Sequence, residues 1–141
     1  DLPEVAFGLA KPIHERVTAL WSGTDMPQEL VAACILRSTQ LLGVEPEDPV
    51  NAFLVPPRAA TLADPEEVRN WPEWSIEESR NELALAEQVW MDPAGINAAI
   101  TAPLEASLGV DGVIRVTWNL ILIGQLHRLA LVLHRIPYSN R

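Results

Sequence analysis

The chain of 141 residues contains a single cysteine, Cys34. An intrachain disulfide is therefore excluded, and so are small secreted scaffolds held by several bridges. The opening stretch, Asp-Leu-Pro-Glu-Val, has no basic leading segment and no signal-type apolar core. A cytoplasmic location is the expectation. No Gly-rich phosphate loop, Ser-His-Asp order or dinucleotide fingerprint occurs. The three histidines, His14, His127 and His134, show no metal-ligand spacing with the lone cysteine or the dispersed carboxylates. Neither a metal nor a cofactor is expected. Strand-like alternation never extends beyond a few residues.

What is present is apolar, acidic and helically spaced. Apolar residues make up 48% of the chain and charged residues 21%, which suits one globular domain over residues 1–141. The net charge is −9. Residues 45–92 hold twelve acids against Arg58, Arg69 and Arg80, which alone gives −9. Such a surface repels phosphate backbones, so nucleic acid is not an expected partner.

The spacing predicts an all-α chain. Two short helices are expected over 3–9 and 11–22, separated at Pro12, with Gly23 ending the second. A longer one spans Pro27–Leu42, with Asp25 and Pro27 at its start and Gly43 just past its end. Leu30, Val31, Cys34, Ile35, Leu41 and Leu42 form its core stripe. Six prolines between Pro46 and Pro72 forbid a long helix there. Asp64-Pro65-Glu66-Glu67 reads as a helix start. Ser75-Ile76-Glu77-Glu78 reads as a capping box opening a helix to about Trp90. On it Ile76, Leu83, Ala86 and Trp90 share a face, and Glu78 and Glu82 are expected near the opposite side. Asp92-Pro93 starts a short turn. A short helix over Pro103–Leu108 ends at Gly109. Asp111 then caps a last helix over Gly112–Ile136. Its run from Val116 to Gln125 is uncharged, too short to cross a bilayer, and bracketed by Arg115 and Arg128. A helix apolar on nearly all sides needs cover on nearly all sides, which favours a subunit interface.

The stretch Arg37–Gly43 resembles the approach to the redox motif of the alkylhydroperoxidase-D-like / carboxymuconolactone decarboxylase family. Pro57-Arg58-Ala59-Ala60, Trp74, Leu83-Ala84-Leu85-Ala86-Glu87 and Leu126-His127-Arg128-Leu129-Ala130 match in order and spacing, so the resemblance covers roughly 15–137. It implies an AhpD-like helical bundle that assembles as trimers or hexamers, with a pocket near a subunit boundary. The family's motif continues Cys-x-x-Cys-x-x-x-His. Here Val44 and Glu47 stand at the cysteine positions, Asn51 at the histidine and Ala32 at the relay glutamate. A thiol peroxidase needs an attacking thiolate and a resolving thiol, so the resemblance is to a member without its redox chemistry.

Cys34 lies two residues after Ala32, about 200° around a helix, and is expected in the core. Glu47 and Asn51 could orient a small polar ligand or move a proton. Trp74 could line an aromatic pocket. His127 and Arg128 could meet a ligand or a neighbouring subunit. The expected function is a homo-oligomeric module binding a small hydrophobic or aromatic ligand, or a partner, without catalysis. The alternative is a cofactor-free decarboxylase, isomerase or proton-transfer enzyme on the same scaffold, and a thiol peroxidase using Cys34 ranks third. A polar group with a shifted pKa, buried in an apolar pocket, would favour the enzyme.

Overall fold

Helix follows the apolar spacing wherever the chain is described. The computed structural model describes residues 7–44 and 54–135, with side chains over 11–44 and 54–132. Among the described residues there are five helices and no strand: α1 (Phe7–Leu20), α2 (Gln28–Leu41), α3 (Pro65–Arg69), α4 (Glu77–Met91) and α5 (Ala98–Arg135). Short 3-10 turns lie at Pro57–Ala59, Trp71–Glu73 and Pro93–Gly95. The last of these is the turn expected at Asp92-Pro93.

The centre of the fold is α4 packed along α5, with α2 against both and α3 on α2. Leu30, Val31, Cys34 and Ile35 of α2 meet Leu83, Leu85, Ala86 and Trp90 of α4 and Val116, Leu120 and Ile123 of α5 in one core. Burial of α2 extends to Ala32, Ala33, Ser38 and Thr39, so more than one face is covered. Gly43, with φ of 68°, takes the left-handed position after α2.

Several boundaries differ from the sequence reading. α1 is one helix that runs through Pro12. Proline forfeits one backbone bond there, while Ile13, Val17 and Leu20 pack the helix onto the core. Asp64 caps α3 as expected, accepting from the backbone N–H groups of Glu66 and Glu67 at 2.9 and 3.0 Å. Ser75 does not cap α4. Ile76 holds that position without a side-chain bond, and the acids Glu77 and Glu78 complement the helix dipole instead. Asp25 does not start α2 either; Pro27 does, and Asp25 faces Arg115 of α5 at 3.4 Å.

α5 is two arms joined at Gly109, whose φ and ψ are 72° and 168°. The first arm starts at Ala98, five residues before Pro103, because the Asn97 side chain accepts from the Ala99 N–H at 2.9 Å. The second arm begins directly after Gly109, so Asp111 lies inside it. The stretch Ala98–Val132 is, by length and composition alone, long and apolar enough to cross a membrane, with 28% of its most apolar window buried. One side, Val113, Val116, Leu120, Ile123 and His127, is buried in the fold. The other, Val110, Ile114, Trp118 and Ile121, is exposed at helical spacing.

Candidate functional site

Glu82 is where the structure departs most from the sequence reading. It does not sit on the outer side of α4; it is 3% exposed. The reason is its register. Positions 82, 85, 86 and 89 fall on one helical stripe, so Glu82 turns inward with Leu85 and Ala86. Ile76, expected on the core face, is 64% exposed.

Both residues border one cleft. It has a volume of about 530 Å³ and lies between α2, the segment around α3 and the start of α4. Leu30 and Ala33 of α2, Leu62, Val68, Trp74 and Ile76 give it apolar walls. Among the described residues, Glu29, Asp64, Glu67, Glu78 and Glu82 are its ionisable groups, and no Lys, Arg or His lines it. Trp74 is held by its indole N–H, which donates to the Glu67 carbonyl at 2.8 Å. Arg80 donates to the Trp74 carbonyl and fixes the chain entering α4.

The Glu82 carboxyl is buried, and its Oε2 has no hydrogen-bond partner among the described residues. A buried carboxylate without a partner is costly, so the group holds its proton. Burial is the main cause that raises its pKa to about 8; the charge of Glu78 and a hydrogen bond with that side chain add to it. Glu78 lies one turn earlier and is exposed. A neutral acid is thus held beneath an apolar cleft. At pH near its pKa such a group can give or take a proton, or ionise to meet a cation.

Cys34 is beside this acid. It is fully buried among aliphatics, which pushes its thiol far up, with Glu82 adding to the effect. A thiol held in its protonated form is a poor nucleophile. The core placement expected for Cys34 is what the structure has.

Of the predicted site residues that the structure describes, Trp74 lines the cleft, and His127 and Arg128 do not. Glu47 and Asn51 lie outside the described residues. His127 is fully buried, with Nδ1 3.0 Å from the Ser38 Oγ. Arg128 faces elsewhere, donating to the Trp90 carbonyl at 3.0 Å near the C-terminal end of α4, where a cation suits the helix dipole. The space beside Ser38 and Arg128 is about 20 Å³, too small for an organic ligand. Of the motif positions, Ala32 and Val44 are buried, and Val44 packs with Ala130. Two fragments of the resemblance do touch: Arg37 pairs with Glu87 at 2.5 Å, and Glu87 also accepts from the Trp71 indole N–H at 2.8 Å.

The described residues form an all-helical fold with a buried acid, Glu82, beneath a cleft of apolar and acidic side chains. No family model, curated protein or solved structure matches the chain.

Proposed function

We propose that this chain binds a small, largely apolar molecule in the cleft between α2, α3 and α4, without thiol chemistry. The observation that carries the reading is the Glu82 carboxyl, buried with an unpartnered oxygen beneath apolar walls. Unmet polar groups are rare in packed interiors, and ligand pockets pair apolar walls with a few placed polar groups. Ile76 supports it: an apolar side chain stands exposed at the mouth. The reading agrees with the expected ligand-binding module and moves its site from Glu47 and Asn51 to Glu82. Titration of a panel of small apolar compounds should quench tryptophan fluorescence in the wild type and less so in Ile76→Arg. Identical responses from the two proteins would dismiss the cleft.

A second reading is a cofactor-free proton-transfer enzyme on the same scaffold. A pKa of about 8 for Glu82 favours it, because a general acid or base works best near ambient pH. Turnover that follows the protonation of Glu82 and is lost in Glu82→Gln would raise this above simple binding.

The exposed stripe Val110, Ile114, Trp118 and Ile121 supports the expected homo-oligomer. Copies whose stripes meet around a three-fold axis would cover this side of the second arm of α5. On this reading the protein is a cytoplasmic trimer or a hexamer of two trimers, the assembly that the family resemblance implies. Ile114→Asp should shift the mass in light scattering to that of a monomer. A wild type that is monomeric at micromolar concentration, or that needs detergent to stay dispersed, would reject this assembly.

A further inference from the structure

The cleft's charge distribution is one-sided. Glu29 comes from α2, Asp64 and Glu67 from the cap and first turn of α3, and Glu78 and Glu82 from α4. Among the described residues no cationic side chain lines it. A cluster of surface acids alone would be an ordinary solvated face. Here one of the five, Glu82, is 3% exposed, and its Oε2 has no hydrogen-bond partner among the described residues. The remaining need is for a hydrogen-bond donor, and the surrounding field selects a positive one. Trp74 adds an aromatic wall of the sort that favours cations.

We propose that the cleft takes a hydrophobic amine: an alkyl or aryl body against Leu30, Val68, Trp74 and Ile76, with its ammonium N–H donating to Glu82. The assignment rests on the ligand-cleft reading and goes further by naming the ligand's charge. A quaternary ammonium has no N–H to give, so a primary or secondary amine fits better. An anion meets only carboxylates.

Binding is coupled to a proton. In the fold alone, Glu82 is a neutral acid. As the ammonium enters, the O–H bond of Glu82 breaks, its proton leaves to solvent, and a carboxylate–ammonium pair remains. The groups facing Glu82 do not supply another route for that charge. Glu78 on its own helix and Glu29, Asp64 and Glu67 across the cleft are acids, and Cys34 beneath is a protonated thiol. On α5, Arg115 pairs with Asp25 and Arg128 donates to the Trp90 carbonyl.

The test uses n-octylamine, n-octanol and octanoate as matched probes, with calorimetry in phosphate and in Tris. The amine should bind at least about tenfold more tightly than the alcohol or the acid, the usual scale of a charge-assisted bond. One proton should be released per amine at pH 7. Affinity should rise by up to about tenfold per pH unit below pH 8 and level off above it. Glu82→Gln should lose both the proton release and the preference for the amine. Ile76→Arg, an exposed change that leaves the acid in place, should weaken all amine binding. If the alcohol or octanoate binds as tightly as the amine and Ile76→Arg abolishes that binding, the ligand cleft stands and the amine assignment falls. If no probe binds, both fall. Amine binding that both variants retain would place it on the acidic exterior and overturn the proposal.

Discussion

The two ends of the α2–α4 packing treat polar groups in opposite ways. Toward the C-terminal end of α2, they are joined closely. Ser38 meets His127, Arg37 and Trp71 both reach Glu87, and the Trp90 indole N–H donates to the Leu120 carbonyl at 2.7 Å. Gly124 sits so near Trp90 that an added Cβ would lie 2.7 Å from its ring. Toward the N-terminal end, Glu82 keeps an oxygen without a partner among the described residues, and a cleft opens above it. The same helices supply both ends, so the difference is not one of helix stability. The joined end meets its polar groups within the fold, and the open end buries an acid at a cost in stability.

The sharpest way to break this contrast is to neutralise Glu82. Its folded pKa, about 8, lies above the ordinary value of 4.5. Between those values the folded state holds a proton that the unfolded state has released. The group's contribution is therefore full below pH 4.5 and is lost as pH rises toward 8. Glu82→Gln keeps the shape and has no proton to lose. It should be more stable than the wild type at pH 8, by on the order of 3 kcal/mol, with the gap closing toward pH 5. Chemical denaturation across that range measures it. A gap that does not change with pH would mean that Glu82 is already ionised in the fold.

How far this contrast could be read from the chain depends on the residue. The all-α character, the extent of α2, the Asp64 cap and the core position of Cys34 follow from spacing and turn chemistry. Glu82 was legible too: it stands in the same i, i+3, i+4 pattern as Leu85 and Ala86. Reading acids as outward residues hid it. Ile76 erred in the other direction, because an apolar residue beside a helix start need not face inward. Asn97 was a cap signal masked by Pro103, which looks like a helix start and is in fact well inside the helix. The cleft itself joins residues from 27 to 82, and nothing in local spacing brings those segments together. Glu47 and Asn51, drawn from the resemblance, fall outside the described residues.

At the joined end, Gly124→Ala should destabilise the protein by about 1–3 kcal/mol, since Trp90 is bonded to Leu120 and cannot easily yield. Thermal melts would show it, and amine or alcohol binding should be untouched. Unchanged stability would mean that this contact has more slack than its distances imply.

The smallest effect should come from Asp64. Removing the cap with Asp64→Ala should cost about 1 kcal/mol and weaken cleft binding slightly, because Asp64 both starts α3 and lines the opening. A melt together with a titration separates the two. A binding loss much larger than the change in stability would make Asp64 a direct partner of the ligand.

Gly109 bears on how this chain can vary over generations. Its backbone angles fall in a region that amino acids with a Cβ essentially do not occupy. A side chain placed there would meet nothing within 4 Å, so no compensating change in a neighbour could relieve the strain. Every substitution at this codon is opposed by chirality alone. Lineages that keep the angle between the two arms of α5 must keep this glycine, whatever else they change around the cleft.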